Sequence, residues 1–287
     1  MFVIIGYVVI IGCILGGFIM AGGHLGVLMQ PVEVLIIVGS AVGAFFVGNS
    51  MTVVKEAGGA LGACFKGGKY TQALYMETLT LLYLIFAKIR KEGLLALQAD
   101  IDEPHSSKLF EQAPTVLHDH HAVEFITDYL RLLSSGNIEL NQLDNLMDLD
   151  IETHHHQGER PIKAIQAFAD GLPAFGIVAA VLGVVHTMES VGIPPAELGK
   201  LIAAALVGTF LGILLAYGFV GPLGSLLTQK LDESTKYYQA IKAAFIANLN
   251  GYDPMASVEF ARKVMYSSER PGFSEMEKHI QAARKAK

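Results

Sequence analysis

Long stretches without charged side chains are the feature that most restricts what this chain can fold into. The first 54 residues carry one formal charge, at Glu33, and residues 172–188 and 201–220 carry none. A helix rises about 1.5 Å per residue and the hydrocarbon core of a bilayer is about 30 Å thick, so roughly 20 apolar residues cross it. The chain is therefore predicted to span a membrane.

Segments of this length and apolarity occur four times, and short connections join them into two hairpins. They cover about residues 2–20, 32–49, 172–188 and 201–220. With 52% hydrophobic and 17% charged residues, the chain of 287 residues is too apolar for an ordinary soluble domain. The predicted fold class is an all-α polytopic membrane protein with four transmembrane helices and a helical cytoplasmic domain.

Positive charges predict the orientation of the chain, because cytoplasmic flanks of membrane spans are enriched in Lys and Arg. Ten of the 21 Lys and Arg residues lie between Lys55 and Lys163, ten lie between Lys230 and Lys287, and only Lys200 lies in a short connection. Both termini are therefore predicted to be cytoplasmic. The predicted domains are a first hairpin (1–50), a cytoplasmic domain (51–171), a second hairpin (172–222) and a cytoplasmic tail (223–287).

Helical patterns fill the polar regions. Apolar residues at three- and four-residue steps predict a helix over 70–91 with one buried stripe, ending near Gly93. Further helices are predicted over 122–133, 138–156, 223–249 and 255–266, and no strand-like alternation separates them. The cytoplasmic regions are therefore predicted to be all helical.

Small residues recur at four-residue spacing in every predicted span. In lipid, this spacing lets helix backbones approach closely, which favours helix association. Packing of a helical bundle accounts for most of these positions. The sets are Gly12 and Gly16, Gly39 and Gly43, Ala179 and Gly183, and Gly208, Gly212 and Ala216.

Two prolines are predicted to share one membrane depth, because the third span begins and the fourth ends at the cytoplasmic surface. Pro173 would lie in a first helical turn, where proline is well tolerated, and Pro222 would stop or bend a helix. The functional alternative is that both prolines shape a gate. Thr209 and Tyr217, eight residues apart, are predicted to face similar directions on the fourth span.

Ionisable residues inside a bilayer are costly enough to mark a function. None is predicted at mid-depth, because Glu33 opens the second span and Glu189 and Lys200 lie in an outer loop, while His186 lies about one turn from the outer end. An ion-conducting role would therefore need a carboxylate from a partner helix.

Two histidine sets suggest a competing interpretation, a histidine-metal membrane enzyme such as a hydroxylase. They are His118, His120 and His121, and His154, His155 and His156. Adjacent helical residues point roughly 100° apart, whereas metal sites aim their ligands at one point. We therefore predict no metal, no cofactor and no catalytic residue. The net charge of −6, without a basic patch, predicts no nucleic-acid binding.

Several longer motifs are similar to those of a known family. They are GGFIMAGG at 16–23, LPAFGIVAAVLGVVH at 172–186, AELGKLIAAALVGTFLGILLAYGFVGPL at 196–223, NLNGYDP at 248–254 and SSERP at 267–271. Because they occur in order over essentially the full length, the chain resembles the MotA family of flagellar motor stator subunits.

The resemblance implies an inner-membrane stator in which a homo-oligomeric ring of five copies, bathed in membrane lipid, surrounds a dimer of the single-span partner MotB. The MotB span would carry the protonatable aspartate, which is the missing carboxylate. Ion flow would reshape or rotate the ring, and the cytoplasmic domain would push on the rotor switch protein FliG.

The resemblance also implies roles for individual residues. Pro173 and Pro222 match the family's functional prolines, and Thr209 and Tyr217 match its channel-facing polar residues. Sodium-driven relatives carry a threonine where this chain has Ala180. An alanine offers no side-chain oxygen to a dehydrated cation, so protons are predicted as the coupling ion.

The resemblance also implies a contact with the rotor. In the family, this contact is made by an arginine and by a glutamate that follows it eight residues later. Arg90 matches the arginine, but Gln98 stands at the glutamate position, so one half of the pair departs from the pattern. Asp100, Asp102 or Glu103 are candidates to compensate. The alternative is that all are solvated surface residues that contribute little.

The nearest alternative family comprises the ExbB and TolQ energisers of outer-membrane transport, which also work with a partner carboxylate. Those chains are expected to have three spans. Two complete hairpins therefore favour the stator interpretation over the energiser.

Overall fold

Helices make up all of the regular structure in the computed structural model, which describes residues 2–136, 138–189, 192 and 194–285. Between these bounds no residue lies in a strand. The prediction of an all-α chain is therefore confirmed.

The helices follow the predicted segments closely at most positions. In chain order they are α1 (Phe2–Met20), α2 (Pro31–Gly48), α3 (Met51–Ala63), α4 (Gln72–Glu92), α5 (Gln98–Asp102), α6 (Pro114–Leu117), α7 (His120–Ser134), α8 (Leu140–Glu189), α9 (Pro195–Ile213), α10 (Gly221–Leu249), α11 (Pro254–Val264) and α12 (Phe273–Lys285). Short 3₁₀ turns join several of them, and a π-helix, Leu214–Val220, joins α9 to α10.

Four helical stretches of the described chain are long and apolar enough to cross a membrane. They are Phe2–Met20, Leu25–Gly48, Leu140–Glu189 and Pro195–Leu249. This finding concerns length and composition. Each predicted span lies inside one such stretch, apart from Asn49, which is one residue beyond the second.

The longest helix corrects two predicted boundaries. The helix predicted over 138–156 and the span predicted over 172–188 are parts of α8, whose 50 residues include Pro161 and Pro173. Pro173 therefore does not lie in a first helical turn. A proline inside a helix costs about 3 kcal/mol, and the buried neighbours Leu172 and Gly176 show that packing holds the helix on both sides of it.

The fourth predicted span also continues without a stop. Helix α9, the π-helix and α10 form one helical stretch, Pro195–Leu249, and Pro222 lies in the first turn of α10. Of the two outcomes predicted for Pro222, a stop of the helix is therefore wrong. The proline lies where the π-helix ends and α-helical winding resumes, so the hydrogen bond that it cannot donate falls at a change of winding.

The chain divides into two compact units. One comprises Met1–Gly67 and Gly158–Lys230, and the other comprises Gly68–Gln157 and Leu231–Lys287. Helices α8 and α10 each contribute residues to both. The units differ in their bounds from the predicted domains because these two helices run on past the apolar segments.

The unit that holds all four predicted spans, here called the apolar unit, has a small core. It consists of Ile37, Ala41, Leu172, Ala179 and Ala216, with half-buried Phe168 and Phe175 against it. Most of its other apolar side chains are exposed, and α1 buries none. A chain with so much exposed apolar surface needs lipid or other subunits around it.

The second unit, here called the polar unit, is built around α4. Residues Leu74–Phe86 of this helix are buried on almost every side, because α11 and α12 pack on it together with the short helices after Gly93. The predicted single stripe was therefore too narrow. Tyr237 of α10 is fully buried against α4, its hydroxyl 2.9 Å from that of Thr78. Burial raises the pKa of Tyr237, so it stays neutral.

Candidate functional site

A close contact between α8 and α9 forms the centre of the candidate site. A Cβ added at Gly212 would lie 2.7 Å from the Leu172 carbonyl oxygen, and one added at Gly183 would lie 2.8 Å from the Ala205 Cβ. A Cβ at Gly176 would lie 3.0 Å from the carbonyl oxygen of Gly208. The two backbones therefore meet in a way that only glycine permits, as the spacing of small residues predicts for this hairpin.

The glycines of the first hairpin behave differently. A Cβ added at Gly12, Gly16 or Gly43 would meet no atom within 4 Å, and one at Gly39 would meet only Leu35 of the same helix. Within the described part of the chain, the prediction of tight packing does not hold for these residues. These faces are open in a single copy of the chain.

Glu33 is the main departure from the sequence-based expectation. It lies in the first turn of α2, only 8% exposed, and its Oε2 has no hydrogen-bond partner in the described structure. A Cβ added at Gly208 would lie 2.9 Å from this oxygen. The carboxyl group thus points into the contact between α8 and α9. The sequence places Glu33 at the start of the second predicted span, and the structure adds that its carboxyl group is buried beside Gly208 of α9 and Ala180 of α8.

Ala180 and Pro173 border the same contact. The backbone nitrogen of Ala180 would lie 3.5 Å from a Cβ at Gly208, and the Cα of Pro173 would lie 3.3 Å from a Cβ at Gly212. Thr209, next to Gly208 on α9, is half-buried. The structure therefore brings Ala180, Thr209 and Pro173 to the edges of one helix pair.

Tyr217 lies in the π-helix Leu214–Val220 and is 66% exposed. Together with Pro222 and Asp170 it lines an open cleft of about 650 Å³ whose other polar residues are Gln166, Ser225 and Gln229. Eight residues of an α-helix exceed two full turns by about 80°. A π-helix rotates less per residue, so the π-helical part between Thr209 and Tyr217 reduces this excess, which agrees with the prediction that the two residues face similar directions.

The π-helix is also tied to α1. The hydroxyl of Tyr7 donates a hydrogen bond of 2.9 Å to the carbonyl oxygen of Phe219, and the two rings lie 4.9 Å apart. This bond gives a partner to one carbonyl in a stretch where the α-helical ladder is interrupted. It connects the first predicted span to the segment that carries Tyr217.

The candidate rotor-contact residues lie in the polar unit. Arg90 is exposed near the end of α4, and Gln98 is exposed at the start of α5. Asp100 is mostly buried, and its carboxylate accepts hydrogen bonds of 2.6 Å from Lys88 and 2.5 Å from Ser107. Its charge is therefore balanced inside the chain, which makes Asp100 a poor substitute for an exposed glutamate.

The two histidine sets partly meet but do not form a metal centre. The rings of His121 and His154 lie 6.2 Å apart, and the Nδ1 atom of His154 is buried without a hydrogen-bond partner. Burial, and then the neighbouring His121, lower the pKa of His154. Across the residues with described positions, no group of three or more His, Cys, Asp or Glu side chains is placed to hold a metal ion.

Sequence reasoning missed four residues of this region. Gly176 lies between the bulky residues Phe175 and Ile177, and Tyr7 is a single polar group inside the first predicted span. Asp170 and Glu33 lie near predicted span ends, where polar residues are ordinary. Only Glu33 could have been recognised from the sequence, because it is the sole charged residue among the first 54.

Comparison with known families gives two matches that together cover most of the chain. Residues 4–93 match the family model described as Motility protein A N-terminal. Residues 118–240 match that of the MotA/TolQ/ExbB proton channel family.

Individual relatives match over the full length. The chain is 50% identical over 284 residues to Motility protein A of Salmonella typhimurium, covering 99% of this chain and 96% of that one. It is 49% identical over 284 residues to Motility protein A of Escherichia coli, with the same coverage. Its fold is similar to a chain of the solved structure of C. jejuni MotAB, with a TM-score of 0.76, 21% identity and coverage of 92% and 95%.

Proposed function

We propose that this chain is the ring-forming stator subunit that turns proton flow into flagellar torque, because it belongs to the motility protein A group of the MotA/TolQ/ExbB proton channel family. The observation that carries this proposal is the 50% identity over 284 residues to Motility protein A of Salmonella typhimurium. The family is one of proton channels and motor stators and not one of enzymes. The four apolar helical stretches, which are long enough to cross a membrane, support a location in the inner membrane.

The proposed topology has four spans in two hairpins, with both termini in the cytoplasm. The distribution of the 21 Lys and Arg residues supports it. The proposed partner is a MotB-like chain whose single span carries a protonatable aspartate, and the proposed assembly is a lipid-embedded ring of five copies around two such partners. The exposed faces of α1 and α2 support an assembly, since they need apolar neighbours.

The proposed mechanism uses the contact between α8 and α9 as the moving wall of the ion path. Protonation of the partner carboxylate removes a costly charge from a low-dielectric site, which changes the relative free energy of two ring arrangements by a few kcal/mol. Pro173, Ala180 and Thr209 border this wall, and Tyr217 and Pro222 line the proposed cytoplasmic exit. The interrupted hydrogen bonding of the π-helix, Leu214–Val220, supports a segment that can change its winding.

Reconstitution in lipid vesicles tests this function. The chain together with a MotB-like partner is expected to pass protons, and the chain alone is expected to pass none. Because Ala180 has no side-chain oxygen for a dehydrated cation, replacing external sodium by choline should leave the proton flux unchanged. A pH-sensitive dye inside the vesicles measures the flux. Flux through the chain alone, or flux that stops without sodium, would contradict the proposal.

The proposed rotor contact is the exposed surface around Arg90 and Gln98, with FliG as the partner. Asp100 lies behind this surface and positions Lys88 through their 2.6 Å ion pair. Arg90 then supplies the free charge that an acidic patch on the rotor would recognise, and Gln98 supplies a neutral hydrogen-bonding group.

Changing Arg90 to glutamate is expected to lower torque severely without affecting membrane assembly. The side chain is exposed, so its replacement removes an intermolecular contact and costs the fold little. The rotation speed of tethered cells measures the effect, and Lys91→Glu, also exposed and one residue away, is the matched control. Equal torque in the two variants would refute a specific contact through Arg90.

A further inference from the structure

The carboxyl group of Glu33 occupies an unusual position for a residue at the end of a predicted span. Its Oε2 lies where three other residues converge, since a Cβ at Gly208 would meet this oxygen at 2.9 Å, the Ala179 Cβ at 3.3 Å and the Ala180 nitrogen at 3.5 Å. Ala180 lies about nine residues, or about 13 Å, before the outer end of α8. The carboxyl group is thus well inside the predicted membrane.

An independent contact supports the same depth. The rings of Phe45 on α2 and Phe168 on α8 lie 5.9 Å apart, and Glu33 and Ala180 each lie 12 residues from their phenylalanine toward the outer side. Equal lengths of helix therefore bring Glu33 and Ala180 to the same level.

Among the residues that the structure describes, none pairs with the Oε2 atom of Glu33. Gly208, Ala179 and Ala180 do not titrate, and the 3₁₀ turn Leu25–Leu28, which packs on α9, consists of Leu, Gly and Val. Transfer of an unpaired carboxylate into such a place is unfavourable, and ionisable groups at this depth are retained in membrane proteins chiefly for ion pathways.

A purely structural role explains less of the geometry. An acidic residue in the first turn of a helix interacts favourably with the helix dipole, but only weakly at exposed positions. That benefit does not require a side chain that is only 8% exposed with Oε2 unpaired. An exposed acid at the same turn would provide it at no desolvation cost.

We propose that Glu33 is a second proton-binding group of the ion path, located in this chain at the level of Ala180 and Gly208. This inference rests on the proposed function. A proton from the outer side binds the carboxylate to give the neutral acid. The proton is then transferred to the carboxylate of the partner span. The O–H bond of Glu33 breaks as the O–H bond of the partner carboxyl group forms. In this arrangement the chain does more than surround the carboxyl group of its partner. It also carries the proton-binding site that comes before that group on the ion path.

The test uses the complex of the full chain with its MotB-like partner in vesicles. Glu33→Gln keeps the size and polarity of the side chain but cannot release a proton, so the proton flux should fall at least about tenfold. Glu33→Asp keeps the carboxyl group and should restore most of the flux with an altered dependence on external pH. Glu197→Gln, the same chemical change at an exposed residue of α9, should behave as the unchanged protein.

An infrared titration of the same samples detects the protonation of carboxyl groups directly. A purely structural role of Glu33 would not change this signal. The unchanged complex and Glu197→Gln should show a carboxyl stretching band that titrates and that Glu33→Gln lacks. Flux and pH profile unchanged in Glu33→Gln, or the same titrating bands in all samples, would overturn the inference. Absence of flux from the unchanged complex would count against the proposed function, and the infrared comparison would still decide the role of Glu33.

Discussion

Replacing Gly212 with alanine should abolish motility or nearly so. The added Cβ would lie 2.7 Å from the Leu172 carbonyl oxygen, 3.0 Å from the Gly176 Cα and 3.3 Å from the Pro173 Cα, all of them backbone atoms that cannot rotate away. Overpacking of this kind costs about 1–3 kcal/mol. Here it would separate α8 from α9, whose contact forms the proposed wall of the ion path. Spreading in soft agar, in a host that lacks its own stator subunit, measures the loss.

Gly199→Ala is the matched control for this variant. It makes the same change on the same helix, at a place where a Cβ would meet no described atom within 4 Å. Spreading should then be close to normal, with both variants present in the membrane at the same level by immunoblot. Normal spreading of Gly212→Ala would show that the close contact is not needed for function.

Replacing Arg262 with alanine should destabilise the polar unit by about 2–3 kcal/mol. The guanidinium group donates hydrogen bonds of 2.6 and 2.7 Å to the Glu259 carboxylate and of 3.0 Å to the Pro271 carbonyl oxygen, and it lies 5.9 Å from the ring centre of Phe273. It therefore joins α11 to the start of α12, and both helices pack on α4, which carries Arg90. Thermal unfolding of the full chain in detergent should show a melting temperature lower by several degrees.

The loss of stability caused by Arg262→Ala should become smaller as the pH falls. The hydrogen bonds from Arg262 hold the pKa of the Glu259 carboxyl below its ordinary value of 4.5. Stability from a lowered carboxyl pKa is fully present above that ordinary value and is lost as the pH falls through the lowered value. The difference in melting temperature should therefore be largest near neutral pH and shrink below about pH 4.5. Arg284→Ala, at an exposed residue of α12, should show little effect at any pH, and a loss as large as that of Arg262→Ala would contradict the assignment.

Most of the helices could be predicted from local patterns. The segment predicted over 2–20 coincides with α1, and the helices predicted over 70–91 and 255–266 lie within two residues of α4 and α11. These predictions succeed because hydropathy and periodicity are properties of consecutive residues. Gly93 ends α4 with φ at +82°, a conformation that favours glycine, as its place after the last periodic residue suggests.

The prolines show where local rules fail. Pro173 lies inside α8, because the packing of Leu172 and Gly176 against α9 offsets the hydrogen bond that the proline removes. The π-helix before Pro222 is likewise absent from any local pattern in the residues LLAYGFV. Asp100 has an acidic side chain near Arg90 in sequence, yet its ion pair with Lys88 removes it from the free surface.

The amino-acid sequence alone determined that this chain is helical, that four segments can cross a membrane and that α8 and α9 can approach closely, because each of these depends on the type and spacing of neighbouring residues. Only the tertiary structure decided which glycines are in contact and that Glu33 lies level with Ala180. The depth of a side chain depends on how one helix is shifted along another, and that shift is set by contacts between residues more than 100 positions apart, such as Phe45 with Phe168.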